Sequence, residues 1–264
     1  ETAEDILTLS GNDVVACDLN DAPAGIPVDQ QDAVGGGNGC VMKRGVVRFQ
    51  HIRSTARLKR DVVGIGNAIV DVISHGTDDF LANMGITKGI MQLVERERAE
   101  LLYAAMSDRV QTAGGSVANT VAGFANLGGS AAYIGKVRDD QLGRIFNHDM
   151  RSLGVDIRLP RADNGAPTAR SHILITEDGQ RTMQTYLGAC LELGLRDIDE
   201  ETIGSPKAML LEGYVWDIAE GPALARKAVD IARANGTTVA LSLSDSFCVE
   251  RHRDSFESFV RDGV

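Results

Sequence analysis

From Asp61 onward, apolar positions recur with the periods of alternating strands and helices. VVGI at 62–65 is short and nearly continuous, the pattern of a buried strand, with Gly64 and Gly66 interrupting it. In VERERAELLYAAM, apolar residues at helical spacing around Leu101, Leu102 and Ala105 predict an amphipathic helix that ends before Thr112. Residues 116–127 read as a second helix and 130–134 as a buried strand. Asp139 is placed to cap the next helix, whose apolar face is Leu142, Ile145, Phe146, Met150 and Leu153 and which Gly154 stops.

The period then changes. Residues 169–176 alternate, EDG at 177–179 is a turn signal, and 181–187 alternate again, so a hairpin is predicted. Pure βαβ winding needs no hairpin there, which suggests a small sheet projecting from the main layer and covering a site. Helix and strand resume as 208–211, 219–234 and 237–241, punctuated by Pro206 and Gly236. A further helix is expected over 254–264. A βαβ unit that stops there lacks its next strand and leaves apolar surface open, so the fold class is α/β with a C-terminal part expected beyond Val264.

The first 60 residues read differently. Acids without Lys or Arg fill 1–34, GGGNG follows at 35–39, and 43–60 is basic without an acid. Neither part has a sustained period, and such charge blocks bury little surface. Residues 1–60 are therefore expected to be an irregular extension with GGGNG as linker, and 61–264 a separate folded unit. A targeting segment around Met42 and a nucleic-acid-binding arm are the rival readings, the second served by Phe49 alone as aromatic platform.

A net charge of −10 disfavours nucleic acid or an anionic membrane as partner. The four cysteines are widely spaced without a CxxC pair, which fits a reducing cytoplasm better than a disulfide framework or a metal knuckle. No run approaches the ~20 apolar residues of a membrane span. The histidines show no HExxH or paired ligand spacing, and no metal site is expected.

Candidate chemistry gathers at two glycine corners. GxGN at 64–67 opens like a dinucleotide fingerprint, but the third glycine is replaced by Ile69. What remains is a strand followed by Asn67 and Asp71. An Asp at the C-terminal edge of a parallel strand can accept ligand hydroxyls in charge-assisted bonds, or can simply cap a turn. In AGGSVANTVAGFANLGG at 113–129, Gly114 and Gly115 permit close approach, amides at the start of the following helix form an anion- or hydroxyl-binding surface, and Asn119 can turn back toward the corner. Close packing alone would explain the same glycines. No GxxxxGK[ST] phosphate loop and no GxSxG elbow occurs. Arg170 and Arg181 lie on opposite arms of the hairpin, and Glu212 and Asp217 flank Tyr214 and Trp216 just past a buried strand.

GNAIVDV together with AGGSVANTVAGFANLGGSAAYIGKVRDDQLG resembles the ribokinase-like (PfkB-type) sugar and nucleoside kinases, over about three quarters of the chain. The resemblance implies a three-layer α/β core with a small β-sheet lid. It assigns substrate hydroxyls to Asp71, amides beside the sugar to Gly114 and Gly115, a substrate hydrogen bond to Asn119 and pocket shape to Asn67. Arg170, Tyr186, Glu212, Tyr214 and Trp216 become lid or pocket candidates. It also implies ATP-dependent phosphorylation of a hydroxymethyl group, Mg²⁺ with the ATP, a small sugar or nucleoside as partner, and a lid that can pair with a second lid in a homodimer. The family's second signature, a DTxGAGD-like segment with the anion hole and catalytic Asp, has no counterpart in 61–264. No residue is therefore assigned as catalytic, and these 264 residues are expected to bind without turnover. A non-catalytic binding or regulatory protein is the alternative.

Overall fold

The computed structural model describes residues 60–159, 161–162, 164–198 and 200–262. Expectations placed on 1–59, including the GGGNG linker and the basic segment, lie outside the described residues. Arg60 belongs to the folded unit, since its guanidinium bonds Asp156 and its carbonyl accepts the Lys207 amide.

The main sheet is wholly parallel. Its strands are β1 (Val62–Ile65), β5 (Ala131–Ile134), β7 (Asp156–Arg158), β11 (Ala208–Glu212) and β12 (Thr238–Ser242), in the order β12-β11-β1-β5-β7. Helices cover both faces, which is why its inner strands read as apolar runs. On one face α3 (Ser116–Asn126) and α4 (Gln141–Ser152) bury Val117, Val121, Phe146 and Met150 against Tyr133. On the other, α6 (Gly221–Ala234) and α7 (Ser246–Arg261) bury Leu224, Val229, Phe256 and Phe259 with Val63, Ile65 and Leu211. Gly64 lets α3 approach β1, because a Cβ there would lie 2.6 Å from a Val117 methyl.

A second, mixed sheet holds β2 (Ile69–His75), β3 (Met91–Leu93), β4 (Val110–Gly114), β9 (Ala169–Ile175) and β10 (Arg181–Tyr186), in the order β3-β10-β9-β2-β4. β9 and β10 are the expected hairpin, antiparallel with Arg181 opposite Ile175, and the turn uses Gly179 at φ +79°. One face of this lid is covered by α1 (Asp78–Asn83) and α2 (Arg96–Ala105), which bury Leu81 and Leu102 against Val72 and Leu174. Short pieces complete the described chain: β6 (Val137–Arg138) paired with β8 (Arg161–Ala162), α5 (Glu200–Ile203), and 3-10 turns at Gly188–Glu192, Leu195–Asp197 and Gly213–Asp217.

Three local expectations are corrected. Asp71 does not stand at the C-terminal edge of a main-sheet strand. The chain leaves the main sheet after β1, and Asp71 lies within β2, where residues 69–75 alternate in burial as a lid strand with one covered face must. The final helix starts at Ser246, because Asp245 caps it by accepting the Cys248 amide at 2.7 Å. The cap of α4 is Asp140 rather than Asp139. Its Oδ1 accepts the Gly143 amide at 2.8 Å and the Thr168 hydroxyl at 2.7 Å, and its Oδ2 accepts the Thr168 amide at 2.9 Å. Among the described residues Asp139 pairs with Arg144 on the surface. Asp140→Ala is expected to cost about 1–2 kcal/mol in urea denaturation and Asp139→Ala less than about 0.5 kcal/mol. Equal effects would return the cap to Asp139.

Among the described residues no helix is long and apolar enough to cross a membrane.

Candidate functional site

Three segments converge where β1 hands the chain to the lid: the Gly66–Asn67 link, the end of β4, and the start of α3. Gly115 joins the last two with φ +103°, and a Cβ there would lie 2.5 Å from the Asn67 carbonyl oxygen. Both the backbone conformation and the contact demand glycine. At Gly114 a Cβ would meet the Asp71 carboxylate at 2.3 to 2.6 Å, so the acid rests on bare backbone.

Register decides what stands beside Asp71. Residues paired directly across strands share a face, so Thr112, Asp71, Ser171 and Thr185 form one row on the lid face opposite α1 and α2. The Ser171 and Thr185 hydroxyls bond each other at 2.9 Å. One register step outward, Val110, Ile73, Ile173, Met183 and Met91 form a parallel apolar row. A further step carries His75, Ile175 and Arg181.

Burial lifts the Asp71 carboxyl to about 6, against the opposing pull of the Arg181 guanidinium on the same face. The result is a partly desolvated carboxylate whose accepting capacity is open to ligand hydroxyls. Asn67 is 2% exposed, and its shielded Oδ1 has no protein partner. Asn119 lies exposed on the first turn of α3, its amide donating to the Gly115 carbonyl at 2.8 Å.

Glu212, at the end of β11, stands behind these groups at 1% exposure. Its carboxylate accepts the Asn67 amide at 2.6 Å, the Ser116 hydroxyl and the Val117 amide at 3.3 Å. Burial raises its carboxyl, and these donors oppose the rise. The amides opening α3 were expected to form an anion- or hydroxyl-binding surface. They are instead engaged by the protein's own carboxylate, brought alongside by the strand next to β1.

The other candidates lie elsewhere. Arg170 and Tyr186 are register partners and share the covered lid face with His172 and Leu174, away from Asp71. The Arg170 guanidinium sits 5.7 Å from the Tyr103 ring, with Nε and Nη2 shielded and unpartnered, and burial lowers its pKa. Tyr214 follows Glu212 and donates its hydroxyl to Asp245 at 2.8 Å, while its amide donates to Ser244, a residue at φ +70°. Trp216 is core: its ring lies 4.6 Å from that of Phe256 and 4.9 Å from that of Phe259, and its indole N–H donates to Ser255 at 2.9 Å. The structure thus joins Asn67, Asp71, Gly114 and Gly115, with Asn119 at the rim and Glu212 beneath. Sequence reasoning missed Ser171, Thr185 and the apolar row, although the alternation in both hairpin arms carried that signal.

The same fold occurs in known proteins. The chain matches adenosine kinase from Sinorhizobium meliloti with 51% identity and a TM-score of 0.73, over 78% of this chain and 63% of that one. It matches a probable sugar kinase from Rhizobium etli CFN 42 with 47% identity and the same TM-score, over 78% of this chain and 62% of that one. Guanosine-inosine kinase of Escherichia coli K12 is 26% identical over 215 residues, 77% of this chain and 49% of that protein. The chain therefore spans about half the length of this curated relative. The pfkB family carbohydrate kinase profile matches residues 81–258, and the chain belongs to that family of carbohydrate and nucleoside kinases.

Proposed function

We propose that this chain binds a nucleoside through its ribose diol, as the substrate-holding part of an ATP-dependent kinase that phosphorylates a hydroxymethyl group. The observation that carries the reading is the pair of rows on the lid face opposite α1 and α2. Asp71 offers a carboxylate to vicinal hydroxyls and Asn67 Oδ1 offers a further acceptor, while bare Gly114 and Gly115 leave room for the Asp71 carboxylate and the Asn67 link that present them. The apolar row lies two residues farther along the strands, about 6.6 Å away, within reach of a base carried by a ribose whose hydroxyls face Asp71. A free sugar would leave that row bare. The adenosine and guanosine-inosine kinases among the relatives favour the same class of ligand.

Asp71 and Asn67 would orient the sugar, and the apolar row would exclude water from the base. ATP and Mg²⁺ belong to the reading through the family. When bound they would supply the phosphoryl group and balance its charge. Among the described residues no group of three or more His, Cys, Asp or Glu could hold a metal ion, and Glu212 engages the opening amides of α3. The opening amides of α3 are thus committed to Glu212 and are not free for a phosphate. No general base is assigned within 61–264. A lid-to-lid homodimer belongs to the same reading, favoured by exposed apolar residues at both edges of the lid sheet, Ile90 and Leu93 beside β10 and Val110 on β4.

Titration calorimetry of the full chain with adenosine and with ribose tests this reading. Covering one face of a base should contribute about 1.5 kcal/mol, so adenosine is expected to bind at least ~10-fold more tightly than ribose. Met183→Asp should erase that advantage and leave ribose binding unchanged. A ribose affinity equal to that for adenosine would overturn the nucleoside assignment. A coupled assay is expected to show no sustained ADP release by these 264 residues, and sustained ADP release would place a base within them.

A further inference from the structure

We propose that Glu212 is a positioning residue, an acceptor-only clamp that sets the Asn67 link against the glycine corner without touching the ligand. The inference rests on the reading of Asn67 and Asp71 as hydroxyl-binding groups. Glu212 is 1% exposed, and every group bonded to it is a donor: the Asn67 amide, the Ser116 amide and hydroxyl, and the Val117 amide. These donors come from segments 95 to 145 residues away in the chain. One carboxylate thereby fixes the separation of the two loops that face the substrate.

Only a carboxylate can do this. A glutamine of the same shape has one accepting oxygen, and in either orientation its NH₂ would point donor to donor at a backbone amide, that of Asn67 or that of Val117. Gly66 gives an independent sign of the same constraint. Its φ lies outside the left-handed region, so the backbone there does not ask for glycine. A Cβ at Gly66 would nonetheless lie 2.5 Å from Glu212 Oε2 and 2.9 Å from its Cδ. The bare position keeps room for the clamp.

The test uses the full chain, with residue-resolved amide exchange by NMR and adenosine titration. Glu212→Gln is expected to speed exchange at Asn67 and Val117 by about 10-fold or more, while the β1–β11 ladder amides keep their wild-type rates. Adenosine affinity should fall about 10- to 100-fold, the usual scale for an ångström of misplacement. Gly66→Ala should reproduce both effects by displacing the carboxylate. Because the two changes break the same contact, the double variant should be no worse than either alone. If Glu212 serves only to fill space, Glu212→Gln will keep wild-type exchange and affinity, and the proposal fails. Additive losses in the double variant would also overturn it. Should Glu212→Gln not fold, Gly66→Ala carries the comparison with the carboxylate still present. If the wild-type chain binds neither adenosine nor ribose, the ligand reading falls, and the exchange rates at Asn67 and Val117 still decide the clamp.

Discussion

Asp71→Asn is expected to stabilise the free protein at pH 7 and to weaken nucleoside binding by about 100-fold. The two effects share one cause. In the folded protein the Asp71 carboxyl titrates at about 6, against an ordinary 3.8, because burial penalises its charge. The native state therefore holds the proton more tightly than the unfolded chain. Below the ordinary value Asp71 imposes no charge penalty, the stability is progressively lost as pH rises from about 4 to about 6, and the full penalty applies above that. Asparagine removes the charge, so thermal denaturation at pH 7 should move to higher temperature and lose part of its pH dependence in that window. The ligand experiences the opposite change. Two charge-assisted hydrogen bonds from ribose hydroxyls become neutral ones, each losing about 1.5 kcal/mol, and the resulting ~3 kcal/mol corresponds to about 100-fold. A variant that melts lower at pH 7, or that retains wild-type affinity, would show that Asp71 is not the buried carboxylate that holds the ribose.

Neighbouring glycines should fail in different ways. Gly115→Ala meets a backbone at φ +103° and a carbonyl oxygen 2.5 Å from the new methyl. Neither can yield without moving the Asn67 link. The expected cost is on the order of 3 kcal/mol, read as a lower urea midpoint with an unchanged slope. At Gly114 the backbone accepts a side chain, and the obstacle is the Asp71 carboxylate, the end of a side chain that can rotate away. Gly114→Ala should therefore fold with little loss and bind poorly. If Gly114→Ala proves the less stable of the two, the division between a folding glycine and a binding glycine is wrong.

Much of this fold was legible in the chain because its signals are local. The period of 3.6 over α3 and α4, the alternation on either side of Gly179, and the apolar runs of β1, β5 and β11 each arise within about ten residues. The Gly114–Gly115 corner was visible as a place of close approach, but local physics left it divided between packing and binding, and Asn67 received a site role only through the family resemblance. What escaped depended on position in space. Asp71 was identified but placed on the wrong sheet, since nothing in GNAIVDV alone says that the chain changes sheets at Asn67. Glu212 looked like a ligand contact because it ends a parallel strand. Only the packing of β11 beside β1 shows that its oxygens are committed to Asn67, Ser116 and Val117. Arg170 and Trp216 were misjudged for a related reason: which face a strand residue occupies, and which helix packs on it, is set by register with distant segments.

Proton linkage gives the sharpest test that ligand hydroxyls bind the Asp71 carboxylate. Hydrogen bonds to the ionised form lower its pKa, so a site half protonated near pH 6 must release protons when the nucleoside binds. Adenosine titrated into the full chain in two buffers of different ionisation enthalpy should therefore release roughly half a proton per site at pH 6 and almost none at pH 8. The release should vanish in Asp71→Asn. Binding at pH 6 without proton release, or release that persists in Asp71→Asn, would contradict the assignment of Asp71 as the group that holds the substrate.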